Sequence, residues 1–234
     1  MLPTRGGERL FTYIHPIQVK KRPLWPSYAK RVPLFDGFYY YSLDFPCVNG
    51  NFDWQGLCVD GRVLVPKNLP CPCTLKTFGT DIWRCVLTVR LLCDTIKNER
   101  CDLAVTDPDG RLLACVKKLC PYARSVSVFT KAPHLYDDIR QEILRESGQY
   151  IAVNTAAGLN NGYNFSPFSP PAPGTEGLYR IDLSNLRENA VYIPPNWLSV
   201  MPTGVSRIAF GEVLYTALKI GRISDYLAPG STLF

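Results

Sequence analysis

"CDLAVTDPDGRLLACVKKL", residues 101–119, decides how the chain is read. The apolar run CDLAVT reads as a buried strand and ends in an acidic turn containing proline. Directly after it, Leu112, Cys115, Val116 and Leu119 recur at helical spacing on one side. A strand, a tight loop and a helix in this order can hold a phosphate when the loop is glycine-rich, because free N–H groups then point at the anion without intervening side chains. Here only Gly110 is left in a loop that reads Thr-Asp-Pro-Asp-Gly-Arg.

The same rhythm continues downstream. "RSVSVFT" (124–130) reads as a second strand, "PHLYDDIRQEILRESG" (133–148) as a helix and "QYIAVN" (149–154) as a third strand. Pro133 suits the first turn of that helix, Asp137 and Asp138 its positive end, and Gly148 its C-terminal cap. Upstream, "TDIWRCVLTVRLLCDTIKN" (80–98) carries apolar residues at 82, 86, 89, 93 and 96, which predicts a helix with that face buried. Short apolar strands alternating with helices predict an α/β fold: a mainly parallel sheet flanked by helices and joined by right-handed crossovers.

The stretch 154–177, rich in proline, glycine and asparagine, breaks this rhythm and admits no crossover helix. "LYRIDLS" (178–184) predicts a fourth strand, "NAVYIP" (189–194) a fifth, and "TGVSRIAFGEVLYTALKIG" (203–221) a closing helix. Residues 1–79 read as β-rich: "RLFTYI" and "GFYYYSLDF" are aromatic β-formers, and Asp60-Gly61 between β-branched flanks predicts a hairpin. The expected organisation is therefore a β-rich region over 1–79 with a basic arm, followed by an α/β domain over 80–234.

Residues 100–153 resemble the Rossmann-like NAD(P)-binding superfamily, similar to bacterial dehydrogenase domains and to uncharacterised bacterial proteins of that fold. The resemblance lies in the β-α-β-α-β pattern, while the Gly-x-Gly-x-x-Gly fingerprint is degenerate at 106–111. In such sheets ligands lie beyond the carboxyl ends of the strands. That rule gathers Thr106, Asp107, Asp109, Gly110 and Arg111 after the first strand, and Thr130, Lys131 and His134 after the second. Asn154 and Thr155 follow the third strand, and Asp182 and Ser184 the fourth. Asp107 and Asp109 oppose a pyrophosphate by charge, and Pro108 removes a donor, so "DPDG" also reads as a type I turn that caps the next helix. Lys131 suits a 2′-phosphate, which the resemblance associates with NADP. Asn160, Asn161, Tyr163 and Asn164 are placed to form a lid over such a pocket, and the crowded prolines suit a passive, extended connection across the top of the sheet equally well.

The formal charge of +6 sits in residues 1–33, where Arg5, Arg9, Lys20, Lys21, Arg22, Lys30 and Arg31 face only Glu8; the remaining chain holds 19 basic and 19 acidic residues. Such an arm suits a polyanion, but prolines and aromatics interrupt it, and a solvated leader explains it as well. Nine cysteines without a legible secretory signal in the first 25 residues predict reduced thiols, no disulfide framework and a cytoplasmic setting. Cys71-Pro72-Cys73 lacks a second pair, so no metal site is expected. No apolar run is long enough to span a membrane.

Phosphate-loop, zinc-protease and nucleophile-elbow motifs are absent from the sequence. Three functional readings follow. The first is a non-catalytic binding or regulatory protein without a cofactor, recognising a small ligand, another protein or a second copy of itself. The second is an NADP-dependent oxidoreductase using Lys131 and the 154–177 loop. The third, weighed lower, is a nucleic-acid contact through the basic arm.

Overall fold

The computed structural model describes residues 9–21, 28–34, 37–54, 57, 59, 61–156, 158–217, 219–231 and 233. Two units emerge from the chain's internal contacts: residues 1–80 with 191–226, and residues 81–190 with 227–234. The sequence suggests a single boundary near residue 80; the contacts add two more, between Ala190 and Val191 and between Tyr226 and Leu227.

In the first unit, β1 (Arg9–Gln18), β2 (Tyr28–Pro33), β3 (Tyr39–Val48), β4 (Asn51–Phe52) and β5 (Val63–Leu64) form one mixed sheet in the order β2-β3-β1-β5, with β4 also paired to β3. β1 runs parallel to β3 and to β5, and β2 is antiparallel to β3. Ile14, Phe45 and Val63 are buried on one face beneath Leu43, Phe52 and Trp54. Phe11, Tyr13 and Tyr40 are buried on the other, where Phe11 stacks on Tyr40 at 4.9 Å and meets Phe210 edge-on at 6.4 Å. The unit is completed by α4 (Pro195–Leu198) and α5 (Arg207–Thr216).

A tight hairpin does occur in this region, at Asn49-Gly50. Both residues have positive φ (50° and 81°), and Val48 pairs with Asn51 across the turn. Of the expected hairpin at Asp60-Gly61, Asp60 lies outside the described residues, and Val63 and Leu64 pair with Thr12 and Tyr13 of β1 in parallel. Within the basic arm, Arg9, Lys30 and Arg31 belong to strands, whereas Arg5 and Arg22 lie outside the described residues. Buried Glu212 of α5 holds this unit's ends together: its carboxylate accepts Arg62 at 2.6 Å, the Gly79 and Thr80 N–H groups at 2.7 and 2.9 Å, and the Thr80 hydroxyl at 2.9 Å.

In the second unit, α1 (Asp81–Glu99) leads into β6 (Asp102–Thr106), α2 (Leu113–Leu119), β7 (Ser125–Phe129), α3 (Asp137–Ser147) and β8 (Ile151–Val153). The α/β fold and the parallel sheet are as expected. β9 (Gly162–Phe165) and β10 (Tyr179–Ile181) complete an all-parallel sheet in the order β10-β9-β6-β7-β8. All five residues of β6 are buried, as befits a central strand covered on both faces. α2 touches both α1 and α3.

Three expectations need correction. The 154–177 stretch is not structureless throughout: Tyr163 and Asn164 lie within β9, beside β6, whereas Asn160 and Asn161 precede that strand. "NAVYIP" forms no strand: Glu188–Ala190 is a 3₁₀ turn, and β9 is the sheet's remaining strand. On α1 Val89, Cys93 and Ile96 are buried as expected, but the buried side also takes in Trp83, Cys85, Leu87 and Leu92, whereas Ile82 is two-thirds exposed at 66%.

Candidate functional site

Strand order reverses between β6 and β9. The chain runs outward from β6 through β7 to β8 at one edge and then returns to place β9 on the opposite side of β6. In an open parallel sheet the crevice beyond the carboxyl ends of two such strands is where ligands bind. Here the protein's own groups occupy it.

Asp107, directly after β6, is buried. Its two carboxylate oxygens accept the Arg111 and Leu112 N–H groups, each at 2.8 Å, and the Tyr136 hydroxyl donates to the same carboxylate. The donors that would otherwise face an incoming anion at the start of α2 are thus already paired with an internal one. Burial, followed by the bond to Asp107, pushes the Tyr136 phenol far above its ordinary range, so it is a fixed donor. Gly110, with φ of 73°, closes the turn, and the Gly110 N–H approaches the Asp107 carbonyl at 3.5 Å, as in the expected "DPDG" turn. Asp109 is exposed.

On the other side, the segment 166–178 is hydrogen-bonded back to the ends of β6 and β9. Ala172 N–H donates to the Thr106 hydroxyl at 3.1 Å, and buried Asn164 donates to the Thr175 hydroxyl at 2.5 Å, which in turn donates to the Ala172 carbonyl at 2.6 Å. Arg111 is exposed and lies over the Phe168 ring at 4.1 Å, so its guanidinium faces an aromatic ring from that same segment.

The remaining sequence-derived residues are placed as follows. Asn154, in a left-handed conformation (φ 54°), accepts the Thr130 N–H at 2.8 Å and thereby ties the end of β8 to the end of β7. The Thr130 hydroxyl accepts Ala132 N–H at 3.0 Å. Lys131 and His134 are exposed, and the Lys131 backbone N–H reaches the Pro108 carbonyl at 3.2 Å. Thr155 is exposed. Asp182 caps the 3₁₀ turn Leu183–Asn185 by accepting from the Ser184 hydroxyl at 2.5 Å and the Ser184 N–H at 2.8 Å, and these bonds, the hydroxyl's above all, hold its carboxyl below the usual range. Thr106, Asp107, Gly110 and Arg111 therefore come together, whereas Asp182 serves its own turn.

At the opposite, amino end of the sheet, Asp102 is almost fully buried. It accepts Arg124 Nε at 2.9 Å, the Ser125 hydroxyl at 2.7 Å and the Asn160 N–H at 3.3 Å. Burial alone raises a carboxyl pKa, but these bonds outweigh it and bring Asp102 down to about 2. A depressed folded-state pKa contributes stability that is present above the unfolded carboxylate pKa and lost as pH falls through the folded one. The denaturation midpoint of the wild type minus that of Asp102→Asn, measured by urea titration, is expected to be constant above about pH 4 and to shrink between about pH 4 and about pH 2. A difference that does not change with pH would refute this linkage.

A separate cavity of about 410 Å³ lies within the first unit. Register places Tyr13 beside Ser42 and His15 beside Asp44 on β1 and β3, so alternation puts all four on one face. His15 Nδ1 is hydrogen-bonded to Asp44 at 2.8 Å, which orients the ring, and His15 lines the cavity with Tyr13, Tyr40 and Ser42. Val32–Leu34 and Ser199–Thr203 complete a lining that mixes apolar and polar groups. Tyr13 donates to the Thr203 carbonyl at 2.8 Å. Burial raises the pKa of both Tyr13 and Tyr40, so both remain neutral phenols in the physiological range. Sequence reading missed this site because its parts lie more than 150 residues apart; the only local signal was His15 on an apolar strand.

No protein-family model, curated protein or solved structure matches the chain at a significant level. No helix among the described residues is long and apolar enough to cross a membrane.

Proposed function

We propose that the protein is a non-catalytic ligand-binding or regulatory protein whose second unit is a Rossmann-like scaffold and whose ligand site is the cavity of the first unit. Counting strands along the second unit, its order is fifth, fourth, first, second, third, the doubly wound order of dinucleotide-binding sheets. The Asp107 carboxylate and the 166–178 segment favour a scaffold role, since a dinucleotide would have to displace several internal hydrogen bonds and bring its pyrophosphate against a buried negative charge.

The single observation that carries the binding reading is the cavity with His15 held by Asp44 at its wall. Its volume lies in the range of small-molecule sites, which combine apolar walls with a few convergent polar groups. The ligand class that fits is a small amphiphile. Its apolar body lies against Val32, Pro33 and Met201, and its polar end meets His15 and Ser42.

Anilinonaphthalene sulfonate, an aromatic body with one anionic group, is a suitable probe. The expected result is saturable fluorescence enhancement with one site per chain, weakened about tenfold by His15→Ala or Met201→Asp, a loss of about 1.4 kcal/mol. Equal enhancement in wild type and both variants overturns the site. Saturable stabilisation by NADP, abolished by Lys131→Ala, overturns the scaffold reading and restores the oxidoreductase one.

A further inference from the structure

A second cavity, of about 400 Å³, opens at the amino ends of the parallel strands in the second unit. Arg100 and Cys101 precede β6, Arg124 precedes β7, Asn161 and Gly162 stand at the start of β9, and Tyr179 begins β10. These four strands are contiguous in the sheet, so the cavity follows one edge of it.

Most of its polar groups are already committed. Arg124 is spent on buried Asp102. The Tyr163 hydroxyl donates to Glu99 at 2.7 Å, and that bond, after burial, keeps the phenol protonated. Two side chains are different. Among the described residues, neither the Arg100 guanidinium nor the Asn161 amide has a hydrogen bond or ion pair. Beside them Tyr179 exposes 70% of its surface, with its ring 6.3 Å from that of Tyr163.

We propose that this cavity binds a small molecule that joins one carboxylate to a planar ring, with Arg100 and Asn161 taking the carboxylate and Tyr179 the ring. A guanidinium presents two parallel N–H donors that match the two oxygens of a carboxylate, and the Asn161 amide adds a further donor. With Arg124 neutralised by Asp102, the cavity offers one uncommitted positive charge, which suits a monoanion. A dianion would set its second charge against Glu99. The exposed Tyr179 ring supplies an apolar face for offset stacking at the mouth. This site lies at the end of the sheet opposite the one used by dinucleotide-binding folds, and it is independent of the first unit's cavity.

The test is a titration of the full chain, followed by NMR chemical-shift changes, with benzoate, acetate, benzyl alcohol and inorganic phosphate. Benzoate is expected to saturate in the low millimolar range, a weak affinity in keeping with so small a ligand, and to be weakened at least about tenfold by Arg100→Ala. Tyr179→Ala should weaken benzoate and leave acetate unchanged, while Arg100→Lys should retain part of the binding. Both residues are exposed, and far-UV circular dichroism verifies that each variant is folded. Failure of benzoate to saturate overturns the proposal, as does benzoate binding that Arg100→Ala leaves intact. Acetate or phosphate binding as tightly as benzoate overturns the assignment of the ring to Tyr179.

Discussion

Gly162→Ala is expected to abolish folding of the α/β unit. A Cβ at this position would stand 1.9 Å from the backbone oxygen of Asp102, in an extended conformation with φ of 155° that side chains rarely adopt. Neither obstacle can yield by a rotamer change, because the colliding atom belongs to the backbone of the strand that Gly162 pairs with. The pairing of β6 with β9 would have to separate at its first position, exposing a sheet interior in which all five β6 residues are buried. The loss should exceed about 4 kcal/mol, within the small class of single substitutions that unfold a domain. The measurement is urea denaturation, or the soluble yield where the variant does not fold. Gly177→Ala is the control: its added Cβ meets open space, and its stability should stay within about 0.5 kcal/mol of wild type. A Gly162→Ala protein within about 1 kcal/mol of wild type would show that β9 does not pair as described.

Asp107→Ala should be the next most damaging change. Removing the carboxylate orphans the N–H groups of Arg111 and Leu112 and the hydroxyl of Tyr136 in one step. Leu112 and Tyr136 are themselves buried, so water does not readily take the place of the lost acceptor. Each buried unsatisfied donor costs about 1–3 kcal/mol, and a total of about 3–5 kcal/mol is expected. At about 2–4 °C per kcal/mol for a chain of this size, the melting temperature falls by about 10 °C. Asp107→Asn should recover under half of this, because one carboxylate oxygen becomes an amide that cannot accept. An Asp107→Ala protein that melts within about 2 °C of wild type would mean that these donors find other partners.

Both residues show what was legible in the sequence. The run from β6 to β8 could be read because each element carries its own periodicity: an apolar strand, an acidic turn, a helix with one apolar side. β9 could not. Its four residues, Gly-Tyr-Asn-Phe, carry no pattern of their own, and they become a strand because Gly162 lets the chain approach Asp102 closely. "NAVYIP" shows the converse: its composition favours a strand, but the chain leaves the sheet there. Asn49-Gly50 is a turn signal that stood in plain view, whereas Asp60-Gly61 drew the expectation by its β-branched flanks.

The candidate site divides in the same way. The topological rule brought Thr106, Asp107, Gly110 and Arg111 together from the strand pattern alone, and the charge of Asp107 already argued against a pyrophosphate. What fills the crevice came from elsewhere: Tyr136 lies 29 residues away and Ala172 lies 66 from its partner Thr106, separations that no local pattern encodes. The cavity around His15 depends on a still longer return, from Tyr13 to Thr203 across 190 residues.

That return has a consequence for synthesis. A chain emerging from its N-terminus makes β1 to β5 first, yet Phe11 lacks Phe210 and Arg62 lacks Glu212, its partner 150 residues later. The α/β sheet, by contrast, has all five strands once Ile181 has appeared. The strands made ahead of the α/β sheet therefore close only after it, and they must wait through the birth of an entire sheet before their unit's final helix arrives.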